Sequence, residues 1–149
     1  MLFLFDTNII LIYLREQLAK QVIETVYNPF NSTNRLIVSV VTIGELKAFS
    51  LKNKWGRAKI QKMELFLTKF AVVDIDKQDI LNRYAEIDAF SQCRLDGRIS
   101  NFTARNMGKN DLWIAATASV LDATLLTTDN DFDHLQNEFL TVARIDLVY

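Results

Sequence analysis

The sequence predicts an α/β protein: a central, mostly parallel sheet flanked by helices. Short, almost wholly apolar runs alternate with amphipathic stretches along the chain. Apolar residues make up 50% of the composition and charged residues 23%, with 4 Gly and 1 Pro, so a core can be buried and no linker is evident. At 149 residues the chain is expected to form a single domain, 1–149.

Each element follows from its local pattern. Leu2 to Phe5 is an apolar run that ends at Asp6, hence a buried central strand. A helix is expected from about Ile9 to beyond Ile23, which one break could divide. Asn28-Pro29 and Asn31 to Asn34 read as loop. Leu36 to Val41 is apolar and β-branched, a second strand. Thr42 opens a helix; with Glu45 it has the spacing of a capping box, and Val41 with Leu46 resembles a hydrophobic staple. A further helix covers Lys59 to Leu67, and Ala71 to Ile75 is a third strand. Ile80, Leu81, Tyr84, Ile87 and Phe90 form one stripe of a helix over Gln78 to Phe90. Arg94 to Lys109 is polar and contains Gly97 and Gly108; a short helix is expected near Ser100. Asp111 to Val120 is a buried helix, Thr124 to Thr127 a fourth strand, Phe132 to Leu135 a helical turn and Val142 to Ile145 the last strand. Strands joined by helices pair in parallel through right-handed crossovers. Sites in such sheets form at the carboxyl ends of the strands.

Composition removes several function classes. Cys93 is the only cysteine, so there is no internal disulfide and no thiolate-rich zinc site. His134 is the only histidine and is expected at the surface or in a loop. Ser91, Ser119 and Cys93 have no matching base, which leaves a covalent triad unsupported. The longest apolar run, Ile9 to Leu14, is too short for a bilayer, so no membrane partner is expected. Met1 to Phe5 carries no basic leader, and the expectation is a cytoplasmic protein.

Acids stand where the chemistry should be. Asp6 follows the first strand, Glu45 the second, Asp111 opens the most apolar helix, and Asp129 follows the fourth strand. An open parallel sheet would bring all of them to one rim. Clustered carboxylates repel unless protons or cations compensate them, and hard divalent ions do so through oxygen ligands. Each acid also has a plainer reading. Asp6 could cap the first helix, and Asn110 the later one with Asp111 in its first turn; Thr128 to Asp131 could be only a turn.

The segments Phe5-Asp6-Thr7-Asn8-Ile9, Ser39-Val40-Val41-Thr42-Ile43-Gly44-Glu45-Leu46, Lys109-Asn110-Asp111-Leu112-Trp113-Ile114-Ala115-Ala116-Thr117-Ala118 and Leu126-Thr127-Thr128-Asp129-Asn130-Asp131-Phe132 span almost the whole chain. In this order they resemble the PIN-domain ribonucleases, most of all the toxin component of VapBC toxin–antitoxin pairs. The resemblance implies a PIN-like fold and a magnesium-dependent endoribonuclease, with Mn2+ as a substitute. Asp6, Glu45 and Asp111 match the family's three acids and Asp129 its more variable fourth, as catalytic and metal-binding residues. Asp131 belongs to the family's Asp-Phe pair, and Thr128 and Asn8 fit the polar residues that brace the acids. The implied partners are RNA as substrate, a small cognate antitoxin and a second copy of the chain in a homodimer. An RNA-processing nuclease, or a non-catalytic nucleic-acid-binding domain of the same fold, is the alternative without a toxin role.

The formal net charge of -1 hides a strong asymmetry. Lys47, Lys52, Lys54, Arg57, Lys59, Lys62 and Lys69 share their segment with one acid, Glu64. Arg94, Arg98, Arg105 and Lys109 share theirs with Asp96. From Asp122 onward, six acids accompany one Arg. Basic segments could line an RNA path to an acidic centre, with Phe49, Trp55, Phe102 or Trp113 stacking on bases. Leu14, Leu18, Phe49, Leu51 and Trp55 could equally line a groove for the antitoxin or be core.

Overall fold

The computed structural model describes residues 1–147. Its centre is a parallel five-stranded sheet in the order β3-β2-β1-β4-β5. The strands are β1 (Leu2–Phe5), β2 (Arg35–Ser39), β3 (Ala71–Val73), β4 (Thr124–Thr127) and β5 (Thr141–Arg144). The helices are α1 (Thr7–Leu14), α2 (Ala19–Val26), α3 (Val40–Lys52), α4 (Arg57–Leu67), α5 (Gln78–Ser91) and α6 (Lys109–Leu121), with a 3-10 turn over Asn130–Leu135.

Strand alternation divides the core in two. Leu4, Ile37, Leu125 and Val142 point to the face covered by α5 and α6, where Ile80, Ile87, Phe90, Leu112 and Ile114 pack. Phe3, Phe5, Val38, Leu126 and Ala143 point to the other face, covered by α1 to α4. Right-handed crossovers require this split. The chain moves outward from β1 through β2 to β3, then returns by α5 and α6 over the opposite face to β4. The direction of winding therefore reverses between β1 and β4, and a crevice opens there at the strands' carboxyl ends.

The helix after β1 is apolar on all sides: Ile9, Ile10, Leu11, Ile12 and Tyr13 are buried. Such a helix belongs inside a core. Phe5 anchors it, with ring centroids 4.9 Å from Phe70 and 5.8 Å from both Tyr13 and Phe30. The expected break falls after Leu14, where Glu16 takes a left-handed backbone (φ 52°).

Some boundaries differ from the sequence reading. The second strand stops at Ser39, because the Ser39 hydroxyl accepts the Val41 N–H at 3.1 Å and caps α3 there. Val40 and Val41 are thus helical despite their β-branched side chains, and Thr42 with Glu45 is no capping box. The third strand ends at Val73, not Ile75. No helix forms near Ser100; α6 starts at Lys109 with Gly108, not Asn110, as its N-cap.

His134 is not an isolated surface residue. It is half-buried, its Nε2 lies 2.7 Å from Ser91 Oγ, and its ring meets Phe102 edge-on at 5.0 Å. Burial, and then the Arg105 guanidinium, hold its pKa down at about 4. Together with the Arg105 N–H donated to the Ser91 carbonyl (2.9 Å), this pair fastens the irregular segment between α5 and α6 to the core.

Candidate active site

The crevice at the β1/β4 switch is a cleft of about 760 Å³, and Asp6, Glu45, Asp111 and Asp129 all line it. Each reaches it from a different junction. Asp6 is the N-cap of α1, Glu45 stands in α3, Asp111 in the first turn of α6, and Asp129 is the N-cap of the 3-10 turn.

Asp6 is only 5% exposed. Its Oδ1 accepts the Thr7 N–H and its Oδ2 accepts the Thr127 hydroxyl, both at 2.7 Å. Thr127 Oγ1 also accepts the Asp129 N–H at 3.0 Å, so one hydroxyl ties two acids together. Thr7 repeats the arrangement on the other side: its hydroxyl donates to Glu45 Oε1 at 2.7 Å and lies 3.2 Å from Thr42 Oγ1. Asp129 Oδ1 accepts the Asp131 N–H at 2.9 Å, which turns the chain so that Asp131 approaches the cluster. Asp111, Asp129 and Asp131 each offer a carboxylate oxygen, all within 4.8 Å of one another.

The electrostatics follow from this crowding. Burial, then the charges of Glu45 and Asp129, push the Asp6 pKa from 3.8 up to about 6, although its hydrogen bonds pull the other way. Burial and the neighbouring Asp6, Asp129, Asp131 and Glu45 push Asp111 up to about 7. Among the described residues, no salt bridge reaches any of these acids: the ion pairs join Arg83 to Glu86, Arg98 to Glu138, and Arg144 to Asp133 and Asp146. Among the described residues, Lys52 is the one cation that lines the cleft. An all-oxygen donor set with uncompensated negative charge suits a hard divalent cation.

The braces are not the ones the sequence suggested. The Thr7 and Thr127 hydroxyls hold the acids, with Thr42 against Thr7; Asn8 lines the cleft, and Thr128 lines a different one. Thr127 had a readable signal. It is a fully buried polar residue that directly follows the apolar Leu125-Leu126 of a central strand, and such a hydroxyl needs partners.

The PIN domain family model matches residues 3–138. The chain belongs to the PIN domain family. Ribonuclease VapC1 of Haemophilus influenzae strain R2866 is 29% identical over 127 residues, which cover 85% of this chain and 86% of that protein. Among solved structures, VapBC-1 from nontypeable Haemophilus influenzae superposes with a TM-score of 0.72 at 26% identity, over 97% of this chain and 98% of that one. VapBC2 from Rickettsia felis, bound to a DNA fragment from its promoter, gives a TM-score of 0.73 at 23% identity over 98% and 100%. The latter likeness is one of PIN fold alone. No helix among the described residues is long and apolar enough to cross a membrane.

Proposed function

We propose that this PIN domain is a magnesium-dependent endoribonuclease and the toxin of a type II toxin–antitoxin pair. One observation carries the reading: acids from four separate junctions converge in one cleft, with no basic side chain among the described residues paired to them. The similarity to Ribonuclease VapC1 and to VapBC-1 supports it.

Asp6, Asp111 and Asp129 would hold the cation, with Asp131 near enough to contribute. When bound, a divalent ion stabilises charge developing on the phosphate and lowers the pKa of the attacking water. The chain's own residues do the positioning. Thr127 fixes the Asp6 and Asp129 junctions relative to each other. Glu45, with Oε1 committed to Thr7, keeps Oε2 to accept a hydrogen bond from a water and aim it at the phosphate. Loss of a proton from Asp111, pushed up to about 7, accompanies cation binding.

The proposed partners are RNA, a small antitoxin and a second copy of the chain, in the cytoplasm where such RNA is found. Apolar surface for a protein partner is present on one side of α2: Leu18, Val22 and Val26 are exposed at helical spacing.

The test is RNA cleavage by purified protein with Mg2+ or Mn2+, compared with Asp111→Asn and with chelator. Cleavage lost in both, and growth arrest relieved by the small gene beside this one, would support the whole reading. A broad RNA panel left intact by metal-loaded protein would overturn it.

A further inference from the structure

A second cavity, of about 330 Å³, adjoins the acidic cleft between the ends of α1 and α3 and the start of α4. Phe49 lines both, so the cavities share a wall. The second cavity's other walls include Arg15, Trp55, Lys59 and Lys62, and no acidic side chain among the described residues lines it. Phe49 and Trp55 meet edge-on, with centroids 5.7 Å apart at 74°. Each ring face is covered by a flexible cation: the Arg15 guanidinium 5.1 Å over Phe49 and the Lys59 ammonium 5.8 Å over Trp55. Lys62 Nζ donates to the Leu14 carbonyl at 2.9 Å, so its charge is fixed at the end of α1 beside the cavity. Both rings are only half-buried, although they touch the core.

We propose that this cavity is a nucleotide subsite, in which a base flanking the cleaved phosphate stacks on Trp55 and Phe49 while Arg15 and Lys59 hold its own phosphate. The inference rests on the reading of the acidic cleft as an RNA-cleaving centre and names residues that select and seat that RNA. The chemistry favours this occupant over a peptide. An aromatic face next to cations, with no acid nearby, matches a base joined to a phosphate. An incoming base displaces the two cations from the ring faces, and both remain within reach of the adjoining phosphate. Stacking is tolerant of base identity, so the subsite sets the path of the strand more than its sequence.

The test separates seating from hydrolysis. Random-sequence 2'-O-methyl RNA oligonucleotides are titrated into the protein in chelator, where nothing is cut, with fluorescence anisotropy and tryptophan quenching as readouts. Trp55→Leu is expected to weaken binding about 5- to 100-fold and to remove the part of the quenching that Trp55 contributes, Trp113 in the acidic cleft keeping its own, and Trp55→Phe to keep most of the affinity. Arg15→Gln and Lys59→Gln alter exposed side chains and so spare the fold. Each is expected to reduce the slope of log affinity against log salt by about 0.7. Failure of wild type to bind, or equal affinity and salt slope in wild type and all variants, would overturn the subsite. Unchanged RNA binding with lost capture of a co-expressed antitoxin would assign the cavity to the protein partner instead. Binding that behaves as expected in a protein that cleaves no RNA would sink the nuclease reading and leave the seating intact.

Discussion

Replacing Asp6 by asparagine should stabilise the metal-free protein at neutral and higher pH. Asp6 is buried, and burial with the neighbouring acids raises its pKa from 3.8 to about 6. In the folded protein it therefore keeps its proton to a higher pH than in the unfolded chain. Stability falls as pH rises through that window, and the cost is complete above about pH 6. At 1.36 kcal/mol per pH unit the cost is roughly 3 kcal/mol. Asparagine carries no charge and can still accept the Thr7 N–H that closes the start of α1. Its amide faces the Thr127 hydroxyl, which must turn, and this gives back about 1 kcal/mol. The net gain is about 2 kcal/mol, or about 4–8 °C in Tm for a chain of this length. Differential scanning calorimetry in chelator, at about pH 8 and about pH 4, reads it directly. Asp6→Asn should melt higher than wild type at the upper pH and no higher at the lower. A variant that melts below wild type at the upper pH would refute the idea that the cleft stores uncompensated negative charge.

Other consequences follow from the same geometry. Mg2+ should raise Tm more at about pH 8 than at about pH 5, because protons compete for Asp6 and Asp111 below their raised pKa values; an equal rise at both would place the cation elsewhere. Thr127→Val keeps the shape but strips Asp6 of a donor and the Asp129 N–H of an acceptor, and should lower stability by about 1–3 kcal/mol in urea unfolding. Ile114→Ala, at a fully buried position of α6, should cost about 2–5 kcal/mol by the same measurement. His134, with its pKa held at about 4 against an ordinary 6.5, binds its proton more readily in the unfolded chain. Its contribution is complete above about pH 6.5 and is lost as pH falls toward 4, so His134→Gln should flatten the acid side of the stability profile.

The parts of the fold that were legible in the sequence share a physical cause. A central parallel strand is buried on both faces, so its middle is written as an apolar run, as in Leu2 to Phe5 and in Leu125-Leu126 between two threonines. The acids at the ends of such runs were legible for the same reason, since a charge directly after a buried strand has to emerge at the sheet's rim. What the local pattern hid was decided by partners far away in sequence. Val40 and Val41 look like strand, but the Ser39 cap ends β2 before them. Thr42 and Glu45 look like a capping box, but both turn toward Thr7, more than thirty residues earlier. The Ser91–His134 contact joins residues 43 apart, and neither has a local signal. Asp131, placed by the sequence only in an Asp-Phe pair, brings its own carboxylate to within reach of Asp111 and Asp129.

The central claim is that four dispersed acids form one cation site. The most direct measurement is a calorimetric titration of Mn2+ or Mg2+ into purified, antitoxin-free protein, with Asp6→Asn and Asp111→Asn beside it. The account predicts saturable binding with proton release in wild type, and strongly weakened binding in both variants while their circular dichroism stays native. Well-folded wild type that binds no cation up to tens of millimolar, on the order of the weakest oxygen-ligand sites, would contradict it. Asp6 and Asp129 would then be helix caps, Glu45 a partner of Thr7, and Asp111 a first-turn acid of α6.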